Sequence, residues 1–187
     1  MGNRFEVCDG GTFRLRRIRL NGHGNEFVVS NATVTFDTES NGENQIRLGY
    51  KAPKWDDDSW VNMDCALVLK GRSPSIVAPQ TELRIDENSA LRFEIPAEGY
   101  DAIPLFVNKL NFGAGMGKIE VDCEAFMHKG GKLTLATVEA SKGLTSDAAK
   151  ALIETARETL PDGCTLTVEN KSLVLRCPRR RFVFSIR

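Results

Sequence analysis

Apolar and polar residues alternate one for one through much of this chain. Leu83-Arg84-Ile85-Asp86, Leu91-Arg92-Phe93-Glu94-Ile95 and Lys118-Ile119-Glu120-Val121-Asp122-Cys123 each place an apolar residue at every second position. A period of two turns one set of side chains inward and the other to water, which predicts half-buried strands. Between such runs lie short stretches of turn residues: Asn21-Gly22-His23-Gly24-Asn25, Gly71-Arg72-Ser73-Pro74, Glu87-Asn88-Ser89 and Gly113-Ala114-Gly115-Met116-Gly117. From Phe13 to about Ala140 no segment has helical spacing, so an all-β body is expected. In Phe13-Arg14-Leu15-Arg16-Arg17-Ile18-Arg19-Leu20 the apolar parity switches between Leu15 and Ile18. A corner or bulge near Arg16-Arg17 keeps both halves facing one interior.

Longer spacings suggest an order for these strands. Leu48, Leu69, Leu91, Phe112 and Leu135 follow one another at 21, 22, 21 and 23 residues, and Ile85 and Val107 are 22 apart. A return of about 20 to 25 residues fits one coil of a parallel β-solenoid. The expected fold is therefore a right-handed parallel β-solenoid (a β-helix), with a β-sandwich or jelly roll as the alternative.

After Ala140 the pattern changes. Thr145-Ser146-Asp147 offers a helix N-cap, and Ala148, Leu152, Ile153, Ala156 and Leu160 form one stripe at helical spacing. Pro161-Asp162-Gly163 ends it. Two strand-like runs follow, and a turn centred on Asn170-Lys171 would pair Val168 with Leu173, Leu166 with Leu175 and Cys164 with Cys177. Residues 1–140 thus read as the β body. Residues 141–187 read as a helix, a hairpin cap and a terminal strand of the same domain.

The runs Phe27-Val28-Val29-Ser30-Asn31-Ala32-Thr33-Val34-Thr35-Phe36 and Ser89-Ala90-Leu91-Arg92-Phe93-Glu94-Ile95-Pro96 resemble coils of bacterial autotransporter passengers and pectin-lyase-like β-helix proteins. Ser73-Pro74-Ser75-Ile76-Val77-Ala78-Pro79 and Leu110-Asn111-Phe112-Gly113 are similar. The likeness spans roughly residues 13–178 and is one of texture, without a catalytic motif. It implies secretion or cell-surface display and an adhesin-like role, although no export signal opens the chain. It also implies that polysaccharide lyases are the enzymatic relatives to test against.

Composition narrows the partners. The 187 residues carry 25 Lys+Arg and 25 Asp+Glu, so the formal net charge is zero. Nucleic acid and anionic membranes attract a surplus of cations, and neither is an expected partner. No apolar run is long enough to span a bilayer. The partners that remain are a glycan, another surface protein or, through poorly buried solenoid ends, a second copy.

Candidate chemistry is sparse. Trp55, Asp56, Asp57, Asp58 and Trp60 cluster in one segment, with Asp64 just beyond. Tryptophan can stack on a sugar ring while carboxylates accept its hydroxyl hydrogens. The same carboxylates suit Ca²⁺, the one cofactor considered, though no EF-hand spacing is present and adjacent residues cannot all face one ion. A solvated loop anchored by its tryptophans is the plainer reading. Under the resemblance, outward Arg84, Arg92 and Lys118, with Glu82, Asp86, Glu94, Glu120 and Asp122, would supply the basic face and acidic site of a β-helix lyase, while stacked opposite charges on a solvated sheet are the plainer reading of the same residues. His23 and His128 fall in loops. Neither a G-x-S-x-G elbow nor a complete phosphate loop is present. Arg179-Arg180-Arg181 precedes an alternating Phe182, Phe184, Ile186 strand and is too short a basic run to specify a ligand.

Five cysteines, Cys8, Cys65, Cys123, Cys164 and Cys177, cannot all pair within one chain. None lies in a C-x-x-C motif, so their spacing argues against zinc. Cys65 and Cys123 read as small core residues. Cys164 and Cys177 form either a disulfide across the hairpin or two buried thiols. The expected role is a non-enzymatic structural domain, the alternative a carbohydrate-active protein.

Overall fold

Strands form wherever the alternation is strongest. The computed structural model describes residues 2–36, 45–49, 64–86, 88–112, 117–141, 143–144 and 146–180. The chain opens with β1 (Arg4–Cys8), β2 (Thr12–Leu15), β3 (Arg17–Leu20), β4 (His23–Ser30) and β5 (Thr33–Phe36). Then come β6 (Gln45–Leu48), β7 (Asp64–Lys70), β8 (Ser75–Ile85), β9 (Ala90–Glu94), β10 (Leu105–Phe112) and β11 (Lys118–Asp122). A 3₁₀ turn (Phe126–His128) precedes β12 (Gly131–Val138), α1 (Asp147–Glu158), β13 (Thr165–Glu169) and β14 (Ser172–Cys177). The corner expected near Arg16-Arg17 falls at Arg16, between β2 and β3.

These strands build two sheets. One has five strands in the order β1-β4-β7-β9-β11, all parallel. The other has nine and is mixed, in the order β13-β14-β12-β10-β8-β5-β2, with β3 joined through β6 to β8. Only the pairings made by β14 are antiparallel among the described strands. The long strand β8 meets β5 along its first half and β6 along its second.

This corrects the expected fold class. The chain is mostly strand with one helix. Its strands form a parallel five-stranded sheet and a mixed nine-stranded sheet, not a closed right-handed β-solenoid. Among the described strands antiparallel pairing is confined to β12–β14–β13, so they do not build the antiparallel sheets of a jelly roll either. The leucine series misled for a physical reason: equal spacing does not require equal surroundings. Leu69 and Leu91 lie in the five-stranded sheet, whereas Leu48 and Leu135 lie in the other. Leu69 stands opposite Phe93, not Leu91, and Ile85 opposite Phe112, not Val107. True partners are unevenly spaced, with Phe5 opposite Phe27, Phe27 opposite Leu67 and Leu67 opposite Leu91, at 22, 40 and 24 residues. Loop length sets the return distance, and it varies from one passage to the next.

The inward faces of both sheets share one core that runs from Val7 to Cys177. Leu67, Leu69, Ile76, Leu83, Ile85, Leu91, Phe93 and Leu105 within it are fully buried. Strand β7 is apolar on both faces, and its Ala66 and Val68 form a small outer cluster with Val28. Buried on both sides, such a strand loses the alternation of its neighbours.

Passage between the sheets is made by stacked corners. Asn31, in a left-handed conformation at φ 50°, follows β4, and its Oδ1 accepts hydrogen bonds from the backbone N–H of Arg72 and Ser73 at 2.6 and 3.2 Å. Asparagine tolerates this conformation better than most residues and offers a short acceptor, so one corner locks the next. Helix α1 packs against β11, β10 and β13, covering the final strand of the five-stranded sheet.

Candidate functional site

The segment holding Trp55, Asp56, Asp57, Asp58 and Trp60 lies outside the described residues, as do residues 113–116 and the strand expected at Phe182, Phe184 and Ile186. The calcium expectation rests on that first segment. Its described neighbour Asp64 is engaged locally: Oδ1 accepts a 2.6 Å hydrogen bond from the Gly24 backbone N–H and sits 3.4 Å from His23 Nδ1. The Gly24 N–H, helped by His23, holds this carboxyl below its ordinary range against the opposing effect of burial.

The charged residues considered as a lyase face are laid out on the outer sides of the sheets. Arg92 Nε donates to Glu120 at 2.8 Å while its Nη1 reaches Glu26 at 3.2 Å. Arg4 reaches the same Glu26 at 3.3 Å, and Lys118 reaches Glu120 at 2.5 Å. The line Arg4–Glu26–Arg92–Glu120–Lys118 therefore crosses the sheet with alternating sign, because parallel register sets Arg4 opposite Glu26 and Arg92 opposite Glu120. Burial pushes the Glu120 pKa up, but hydrogen bonds from Lys118 and Arg92 prevail and hold it below the usual range. On the other sheet Arg84 and Arg47 both reach Asp86, at 2.8 and 3.1 Å, and Lys109 reaches Glu82 at 3.0 Å. An open groove of about 450 Å³ runs beside β11, lined by Arg92, Glu94, Lys118, Glu120 and Asp122 from the sheet and by Thr155 of α1 and its C-cap Thr159.

A different group of residues converges more closely. Cys123 directly follows β11, Cys164 lies in the turn between α1 and β13, and Cys177 ends β14. The Cys164 Sγ is 2.7 Å from Cys177 Sγ and 3.8 Å from Cys123 Sγ. All three sulfurs lie within 4.8 Å of one another. Cys123 and Cys177 are buried, whereas Cys164 is half-buried as a residue and turns its sulfur into the cluster. All five cysteines are free. Burial, and then the neighbouring Cys164, push the Cys123 thiol well above its ordinary pKa, and Cys177 is raised by the same two causes.

Each sulfur has a local reason for its position. Cys123 continues the inward parity of Ile119 and Val121, both buried. The antiparallel register pairs Leu166 with Leu175 and Val168 with Leu173, as the turn at Asn170-Lys171 implies, which brings the Cys164 and Cys177 ends together. Helix α1, capped where Ser146 Oγ accepts from Ala149 N at 3.3 Å, presses its buried Leu152, Ile153 and Ala156 inward and delivers Cys164 at its far end.

This trio could hold a metal ion, which corrects the argument against a thiol site drawn from spacing. Metal ligands must meet in space, and here they are gathered from three elements. The hairpin half of the trio was visible in the sequence. Cys123 carried no signal beyond its inward parity, since 41 residues separate it from Cys164. The cluster differs in kind from the calcium expectation, because thiolates suit soft cations and Ca²⁺ takes oxygen. No helix among the described residues is long and apolar enough to cross a membrane. No family model, no curated protein and no solved structure matches this chain.

Proposed function

We propose that this protein is a non-enzymatic structural domain of the adhesin-like kind, a firm two-sheet body that presents its loops and outer faces to partners. One observation carries the reading: the outward cations Arg84, Arg92 and Lys118 are each paired with a carboxylate, along their own strand or across to a neighbour. Arg92, one of the three outward cations named for a lyase-type base, is held between Glu120 and Glu26. A general base needs a pKa near the working pH and an open approach to the substrate proton. Two carboxylates beside the guanidinium raise its pKa against the effect of burial and so oppose that role. Alternating charges instead satisfy the outer face of a sheet and discourage unwanted pairing. Placement at or outside the cell surface is part of this proposal.

The test is incubation with a panel of uronic-acid polysaccharides, with and without Ca²⁺, monitoring unsaturated products by their ultraviolet absorbance. The expected result is no product. Product formation that disappears in Arg92→Ala would overturn the structural reading.

A further inference from the structure

We propose that Cys123, Cys164 and Cys177 form a site for one soft divalent cation of the zinc class, bound through three thiolates at the junction of β11, α1 and the β13–β14 hairpin. The arrangement of the sulfurs favours a cation over an exchanging disulfide. Because all three lie within 4.8 Å of one another, they make a triangle around a common centre. Thiol–disulfide exchange wants the attacking, central and leaving sulfurs in a line, and sulfurs in line at these spacings would put the outer pair much farther apart. Zinc–sulfur bonds of about 2.3 Å at tetrahedral angles set sulfurs about 3.8 Å apart. The Cys123–Cys164 separation is already 3.8 Å. The Cys164–Cys177 pair, at 2.7 Å, must open as the ion enters between them.

Charge selects the ion class. Binding breaks three S–H bonds, forms three S–metal bonds and sends three protons to solvent. A divalent ion then leaves the buried site with one net negative charge, and a monovalent ion leaves it with two. Isolated charge is costly in such surroundings, so the divalent ion is preferred. Soft thiolates select zinc over calcium or magnesium. Among the described residues no fourth side chain joins the three sulfurs, which leaves a position for a non-protein ligand as in three-ligand zinc sites, and half-buried Cys164 supplies the side from which ion and ligand approach. Because the thiols must be deprotonated, affinity should rise with pH.

The experiment uses the full chain, kept reduced, and reads metal stoichiometry by native mass spectrometry in competition with a chromogenic chelator. Separate arms use Zn²⁺, Co²⁺, Cu⁺ and Ca²⁺. The expected result is one tightly held Zn²⁺, a thiolate-to-cobalt charge-transfer band with Co²⁺ and no retention of Ca²⁺. Affinity for Zn²⁺ should fall at least a hundredfold in Cys123→Ala and in Cys164→Ala, and stay unchanged in Cys8→Ser. Zinc should raise the melting temperature of the parent protein but not of Cys123→Ala, a readout that also reports whether the variant folds. The proposal is overturned if no Zn²⁺ is retained, if Cys123→Ala binds as well as the parent, if Cu⁺ alone is held, or if Cys164 and Cys177 remain disulfide-bonded under reductant.

Discussion

The two ends of the paired sheets are finished in opposite ways. At the end built by the C-terminal residues, α1 lies over β11, and the β13–β14 hairpin extends the nine-stranded sheet in antiparallel register. There Phe126, Leu144, Leu152, Ile153 and Leu175 are almost wholly buried. At the end built by β1, β2 and β3 the core-facing aromatics are open. Phe5 is 48% and Phe13 42% exposed, meeting edge-to-face at 5.8 Å, with Phe5 stacked on buried Phe27 at 5.3 Å. A sheet edge needs cover, charge or a partner. One end uses an amphipathic helix, while β1 buries only Val7 and exposes the charged Arg4 and Glu6. Stability should therefore concentrate at the helical end, and side chains of equal size should matter unequally at the two ends.

The sharpest test sets two phenylalanines against each other. Phe126→Ala, removing a ring that is 2% exposed, should cost about 3–5 kcal/mol by leaving a cavity. Phe5→Ala should cost only about 1 kcal/mol, since roughly half of the ring's burial is lost to begin with. Urea denaturation of both variants measures the gap, and equal losses would erase the contrast between the ends. Next in size is Gly130→Ala. Gly130 has φ +68°, and a Cβ there would meet the Arg179 backbone nitrogen at 2.6 Å. Backbone strain of this kind costs about 1–3 kcal/mol, and a lowered melting temperature would report it.

Smaller again is Ser146→Ala, which removes the acceptor for Ala149 N and should cost about 1 kcal/mol. Hydrogen exchange in the first turn of α1 should rise with it, while exchange in β4 stays constant. The smallest effect is one of pH. Hydrogen bonds from Lys132 and Arg176 hold the Glu169 pKa at about 2, below the ordinary carboxyl value of 4.5. A depressed folded-state pKa contributes stability above the unfolded value and loses it as pH falls toward 2. The Glu169 side chain is about one-third exposed and its partners Lys132 and Arg176 about half, so the contribution is modest and screened by salt. The parent's stability should fall between pH 4.5 and 2 more steeply than that of Glu169→Gln. Parallel curves would show that these ion pairs contribute nothing.

Legibility in the sequence follows the range of the interaction. Helix α1 and the β13–β14 hairpin are local, and their signals are local too. Ser146 caps the helix, and Asn170 and Lys171 take the positive φ values of 45° and 66° that a two-residue hairpin turn demands. The Cys164–Cys177 half of the thiol cluster follows from that hairpin register alone. The parallel pairings are remote, and the regular leucine spacing assigned them to the wrong partners. Nothing near Glu26 announces that it will sit between Arg4 and Arg92, 22 residues before it and 66 after it.

Which side chains face inward, where the helix starts and how the last hairpin pairs were determined by the sequence itself. Each depends on dihedral preferences and on contacts only a few residues away. Which strands become neighbours, how they divide between two sheets and which third sulfur joins Cys164 and Cys177 were decided only in the tertiary structure. Closing a longer loop costs only about 0.6 kcal/mol per doubling of its length, so spacing alone selects weakly among distant partners. The choice falls to the burial of shared apolar faces, a quantity that exists only once the sheets have met.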